Sequence, residues 1–147
     1  MAILGYQQIS SLNAAKGLGF TGTANAYDVG HAYSAGDMAT SGGKTYVAIQ
    51  STTGDTPPNT VYWLEIDSAT NGFPVGTTTL VVQAQTQAVR WRADGIDPDA
   101  TTGMLLPNSL SVYYLQTFQN NGGLAVAFSS VKVIEVTASA IINVSYH

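Results

Sequence analysis

The chain has 147 residues, of which only 10% are charged, and five Lys/Arg against nine Asp/Glu give a net charge of −4. A typical soluble domain is about 25% charged, so the Thr, Ser, Asn, Gln and Gly that fill the gap predict a polar, weakly charged surface. Such a surface suits an assembly component covered by neighbours as well as it suits a neutral β-domain. No basic cluster occurs, which argues against nucleic-acid binding by phosphate neutralisation. With no cysteine, disulfides, thiolate metal sites and a cysteine nucleophile are excluded.

Hydrophobic content of 45% separates the chain from disordered sequences. No run approaches the ~20 apolar residues that span a bilayer. The start, Met1-Ala2-Ile3-Leu4-Gly5-Tyr6, lacks the basic region and apolar stretch of a signal peptide, so a protein soluble in the cytoplasm that makes it is expected.

In chain order, the first element predicted is a helix of one or two turns over Ser10–Gly17. It has a Ser N-cap, an Ala-rich interior, Lys16 in its last turn and Gly17 after it. The run Gly17-Leu18-Gly19-Phe20 then stops at an aromatic, and a near-copy, Asn71-Gly72-Phe73-Pro74, resumes ~50 residues later. Residues 21–71 therefore read as a module inserted into a Gly-rich loop of a host made of 1–20 plus 72–147, since insertions succeed where exposed loop ends lie close together.

Within the module, Lys44–Ile49 and Val61–Ile66 alternate as strands, the second with Tyr62 and Trp63 on opposite faces. Gly42-Gly43 supplies a hairpin bend, and Thr52–Asn59 a long turn. So short a module cannot build a deep core, and Tyr27, Tyr33, Tyr46 and Trp63 are expected to fill most of it. In the host, strands are predicted at Thr78–Ala84, Gln87–Arg92, Leu110–Leu115, Leu124–Phe128, Val131–Thr137 and Ala140–Tyr146, with the last two joined as a hairpin. The expected fold is all-β: an antiparallel sandwich or barrel with a small β-rich module inserted near the N-terminus.

Chemistry-bearing constellations are few. Asp94-Gly95-Ile96-Asp97-Pro98-Asp99 clusters three carboxylates, but the alternate-position spacing of a calcium loop is absent, and Asp-Gly and Asp-Pro are ordinary turn formers. Asp55, Glu65 and Asp67 form no pair that would separate two carboxyl pKa values. His31 and His147 read as solvated side chains, without the orienting carboxylate a catalytic triad needs. No Gly-rich phosphate loop occurs. Neither catalysis, a metal site nor a cofactor is expected. Tyr113-Tyr114, on a strand, place one ring inward and one outward, a candidate partner contact.

Two resemblances sharpen the expectation. Tyr27, Tyr33-Ser34-Ala35-Gly36-Asp37, Gly43-Lys44-Thr45-Tyr46-Val47-Ala48, Gly54-Asp55-Thr56-Pro57 and Trp63 together resemble the small chitin-binding-type carbohydrate modules of families 5 and 12. Those modules carry adjacent exposed aromatics shortly after the Tyr-x-Ala, where this chain has Gln50-Ser51. The scaffold alone also decorates phage tail and virion proteins. The host resemblance rests on Gln83–Gly95, Pro98, Ala100-Thr101-Thr102-Gly103-Met104, Val133–Val136 and Asn143–Tyr146. These are similar to small β-sandwich proteins encoded among tailed-phage structural genes, in which a leader like Ser11–Leu18 runs directly into the first strand.

The resemblances imply a bacteriophage virion protein, assembled in the host cytoplasm. The first expectation is a capsid decoration (cement) protein binding the major capsid protein or other virion proteins as a homo-oligomer, a trimer at local threefold axes being a natural arrangement. The second is a carbohydrate-binding adhesion protein with a surface glycan as partner, using Tyr27, Tyr62 or Trp63 as contacts, with Tyr113 and Tyr114 as further contact candidates. The third is a tail or neck accessory protein. Neither nucleic acid nor membrane is an expected partner.

Overall fold

The computed structural model describes residues 3–116 and 128–147, with the side chains of residues 113–116 outside that description. The expected strand over Leu124–Phe128 falls, up to residue 127, outside the described residues. The fold is all-β, with a short 3-10 turn at Phe128–Ser130. The chain divides into two compact units, residues 1–18 with 76–147, and residues 19–75.

The first unit is a β-sandwich of two four-stranded sheets. One sheet holds β1 (Gly5–Ile9), β12 (Ile141–Tyr146), β7 (Thr79–Gln85) and β10 (Tyr113–Gln116) in that order. The other holds β2 (Lys16–Gly17), β11 (Lys132–Glu135), β8 (Val89–Arg92) and β9 (Met104–Leu106). All pairings within this unit's strand ladders are antiparallel. The connections follow a rule: β1 to β2, β12 to β11, β7 to β8 and β10 to β9 each join strands at the same position in the two orders. Each is an arch that turns the chain from one sheet into the other.

Three of the four arches hold a non-glycine residue with positive φ: Ser11 at 55°, Thr86 at 67° and Ser139 at 73°. These are the three such residues in the described chain. The left-handed conformation is disfavoured for L-residues, and here it reverses the backbone sharply enough to leave one sheet for the other. Two of the arches are tied together, because the Thr86 hydroxyl is shared between the carbonyls of Gln85 and Ser139, 2.6 Å from each.

Period-2 alternation explains the interior. Leu80, Val82 and Ala84 of β7 and Ile142, Val144 and Tyr146 of β12 are buried, while Gln83, Gln85 and Asn143 between them are not. Burying the Tyr146 phenol raises its pKa above the usual tyrosine range, and its hydroxyl donates to the Leu18 carbonyl while accepting from Gln7 Nε2.

Two expectations are overturned in this unit. No helix forms over Ser10–Gly17: Ser11 leaves the helical region, and Lys16 and Gly17 pair with Val133 and Lys132. Leu12 and Leu18 are fully buried, and the Leu12 carbonyl accepts from Glu135 N at 2.9 Å. So short a helix is marginal on its own, and tertiary burial of two leucines outweighs its Ala propensity. Nor are Val131–Thr137 and Ala140–Tyr146 a hairpin. β11 pairs with β2 and β8, and β12 with β1 and β7, so the segment between them is an arch. The strand expected from Leu110 begins only at Tyr113, and Leu110 is 99% exposed.

The second unit is one sheet ordered β3 (Ala24–Ala26), β4 (Met38–Ser41), β5 (Lys44–Ala48), β6 (Trp63–Ile66), with β3 parallel to β4 and the other pairs antiparallel. Gly42 and Gly43, at φ 58° and 77°, form the two-residue turn between β4 and β5, a conformation that demands positive φ at both positions. Both faces of the sheet are covered. Tyr33, Ala39, Tyr46, Ala48 and Trp63 cluster on one side, and Met38, Val47 and Ile66 on the other. The aromatic filling expected from the sequence is thus found on one face, with a smaller aliphatic cluster on the second.

Candidate functional site

The aromatic residues singled out in the sequence meet in the second unit, chiefly as core. Trp63 is 2% exposed, and its Nε1 donates to the Asp55 carbonyl at 2.6 Å. Tyr27 stacks on Tyr33 at 5.6 Å between ring centroids, and both meet Trp63 edge-on, at 5.9 and 5.0 Å. Trp63 therefore offers no face to a sugar ring, which corrects its place among the contact candidates. Tyr62 does not oppose Trp63 across a strand. It sits in a turn before β6, where Tyr62 N and Trp63 N both bond the Asn59 carbonyl, and it packs half-buried against the same cluster as Trp63. Where a stacking pair belongs by resemblance, Gln50 is tied through Nε2 to the Val61 carbonyl at 2.8 Å, and Ser51 is exposed.

Tyr113 and Tyr114 lie on β10, opposite Val82 and Val81 in the ladder. Their side chains are outside the described part of the structure.

The second unit also holds a cleft of about 450 Å³, lined among others by Thr23, Asn25, Asp28, His31, Tyr33 and Asp37. His31 stands edge-on to Tyr33 with 4.5 Å between ring centroids, and its side chain is exposed, as expected. His147 is different. Its backbone pairs with Thr79, its Nε2 lies 3.0 Å from Ser145 Oγ, and its Nδ1 is buried without a hydrogen-bond partner among the described residues.

In the first unit, the three carboxylates of the 94–99 loop are engaged in holding that loop. Asp94 pairs with Arg92 and Asp97 with Lys132, while Asp99 Oδ1 accepts from Thr101 N and Thr102 N at 2.7 Å each. These contacts match the turn-forming role expected of the cluster. The Arg92 guanidinium, followed by the Ile96 N–H, holds the Asp94 carboxyl down at about 2. The Thr101 hydroxyl, followed by the Thr101 and Thr102 N–H groups, does the same for Asp99. Arg90 clamps the far side of the loop through the carbonyls of Ala100 and Gly103.

Two features of the first unit were not singled out in the sequence. The outer face of β1, β12 and β7 carries Tyr6, Gln8, Asn143, Gln83 and Gln85, an uncharged hydrogen-bonded array. Its members are up to 137 positions apart, so only the strand pairing brings them together. Residues 96–112 also carry five large apolar side chains in water, Ile96, Met104, Leu105, Leu110 and Val112, 45% to 99% exposed; Met104 and Leu105 are successive residues of β9 and point to opposite faces, and Leu110 lies beside Gln83 and Gln85 of β7.

Charge is divided unevenly. Residues 19–75 hold Asp28, Asp37, Asp55, Glu65 and Asp67 against Lys44 alone, a net −4. The first unit holds Lys16, Arg90, Arg92 and Lys132 against Asp94, Asp97, Asp99 and Glu135, and is neutral. Comparison of the chain with protein-family models, with characterised proteins and with solved structures finds no match.

Proposed function

We propose that this protein is a structural component of a tailed-bacteriophage virion, a capsid decoration protein that binds the major capsid protein on the outer shell. The observation that carries this reading is the exposed apolar set Ile96, Met104, Leu105, Leu110 and Val112 on a unit of zero net charge. These five large apolar side chains, all within residues 96–112, offer a protein partner apolar area to bury, the usual driving force for association. Binding many copies to a symmetric lattice lets each contact be modest, because avidity multiplies it. Homo-oligomers, trimers at local threefold axes among them, fit the same lattice. No catalytic role belongs to this reading.

The test is co-sedimentation of the purified protein with matching capsids, together with mass spectrometry of purified virions. Parent protein is expected to co-sediment, and Leu105→Asp and Leu110→Asp to lose most of that binding while remaining folded. Failure of the parent to bind capsids, with its absence from virions, overturns the proposal.

Adhesion to a surface glycan is the second reading, and the cleft at Asn25, Asp28, His31 and Asp37 favours it, since amide, carboxylate and imidazole groups suit hydroxyl pairs. Retention of the full chain on a glycan array, lost in His31→Ala, distinguishes it. A tail or neck accessory role shares the first reading's chemistry and differs in location, which gold labelling of virions resolves.

A further inference from the structure

The outer face of the β1-β12-β7 sheet is a hydrogen-bond array with one opening. At its centre, Asn143 uses both amide atoms fully: Oδ1 accepts from Tyr6 OH at 2.8 Å and Gln8 Nε2 at 3.0 Å, and Nδ2 donates to Gln83 Oε1 at 3.3 Å and Gln85 Oε1 at 3.1 Å. Gln83 Nε2 reaches the Ser109 carbonyl at 3.2 Å, and Gln8 Nε2 also reaches Gln85 Oε1 at 3.2 Å. Two groups stay unpartnered among the described residues, Gln8 Oε1, an acceptor, and Gln85 Nε2, a donor. They belong to side chains that are already bonded to each other.

An acceptor and a donor side by side are complementary to a copy of themselves turned through a twofold axis. We propose that this face is where two copies of the chain meet, with Gln85 Nε2 of each donating to Gln8 Oε1 of the other and the exposed Tyr6 rings packing at the rim. Electrostatics favour this partner over a charged one. The array carries no charge and its unit is neutral, so two copies approach without repulsion, whereas contact through residues 19–75 would set −4 against −4. Fixing the amides through Asn143 before contact also lowers the entropy lost on docking.

The size of the face sets the strength. Three strands about 4.8 Å apart, each five to seven residues long at roughly 3.3 Å per residue, cover far less than the ~800 Å² each partner gives to a standard interface. The contact is therefore weak and reversible. It does not rest on the virion reading: self-association without capsid binding leaves it standing, and capsid binding by a strict monomer removes it alone.

Sedimentation equilibrium of the full chain from micromolar to near-millimolar concentration tests the proposal. A concentration-dependent dimer is expected. Gln85→Glu and Gln85→Lys, each placing like charges across the twofold axis, should each raise the dissociation constant at least tenfold, and mixing the two variants should restore association. Thr60→Glu, exposed in the other unit, should leave it unchanged. A monomer at every concentration overturns the proposal. So does association indifferent to both Gln85 charge variants.

Discussion

Phe20 and Gly72 close the neck of the 19–75 unit by exchanging both backbone hydrogen bonds, Phe20 N to Gly72 O at 2.6 Å and Gly72 N to Phe20 O at 2.8 Å. The chain segments around this bridge come so close that a Cβ on Gly72 would sit 2.6 Å from the Ser68 carbonyl oxygen and 2.8 Å from that of Phe20. Both obstacles are backbone and cannot swing aside. Gly72→Ala should therefore destabilise this unit by about 1–3 kcal/mol, the range for overpacking. Gly22→Ala is the control, because its Cβ meets only the flexible Met38 side chain, at 3.4 Å. Chemical denaturation of both variants, followed by Trp63 fluorescence, makes the comparison. Equal midpoints for the two would contradict the closed neck.

A second prediction concerns the linked arches. Thr86 is β-branched and held at φ 67°, a conformation costing on the order of 1–3 kcal/mol, and its hydroxyl is shared between the Gln85 and Ser139 carbonyls. Thr86→Val keeps the strain and removes the exposed hydrogen bond, so it should lower stability by about 0.5–1.5 kcal/mol. Thr86→Asn accepts the left-handed conformation more readily and should stay close to the parent. Thermal unfolding by circular dichroism of the pair separates backbone strain from bond loss. Val above Asn in stability would show that the hydroxyl contributes nothing.

These arches also explain how far the sequence could be read. Alternation identified the strands around Tyr46, Val82, Val89 and Val144, because a strand with one buried face writes a period of two into its own residues. It did not identify partners. Val133 and Val144 looked like neighbours across a tight turn, yet they lie in different sheets, since an arch and a hairpin share the same local polar linker and differ only in how the chain crosses it. The outer face was hidden for the same reason: Gln8, Gln85 and Asn143 are unremarkable polar positions until pairing sets them side by side. Tyr62 and Trp63 were misread because the turn at Asn59 runs through Tyr62 and β6 begins at Trp63, two residues later than alternation suggests, so Tyr62 is not on the strand whose pleat would set it opposite Trp63.

Trp63 separates a stability effect from a binding effect. Its ring is in the core and its Nε1 holds the Asp55 carbonyl, so Trp63→Ala should cost about 3–5 kcal/mol. Trp63→Phe keeps most of the buried area and forfeits the hydrogen bond, at about 1–3 kcal/mol. If a glycan or protein partner binds this unit, Trp63→Phe below its melting temperature should bind as the parent does, since the residue touches nothing outside the core. Calorimetric binding that is lost in a fully folded Trp63→Phe would place the indole at a contact surface.

Acid titration of the 94–103 loop provides the last test. The carboxyls of Asp94 and Asp99 are held at about 2, below the ordinary carboxylate value. A carboxyl whose pKa is depressed on folding stabilises the folded state above the unfolded pKa, and that contribution fades as pH falls through the folded one. The loop should therefore hold from neutral pH down to about 4 and loosen between about 4 and 2. Carbon-detected NMR of the aspartate carboxyls reads each site separately. Thr101→Val removes the hydroxyl that contributes most to the Asp99 shift, so Asp99 should titrate nearer the ordinary range. Asp94, held by Arg92, should be unaffected. Arg92→Gln should invert the pattern, raising Asp94 and sparing Asp99. If either substitution moved both carboxyls together, the two halves of the loop would be one coupled unit, and the separate anchoring of Asp94 and Asp99 would be wrong.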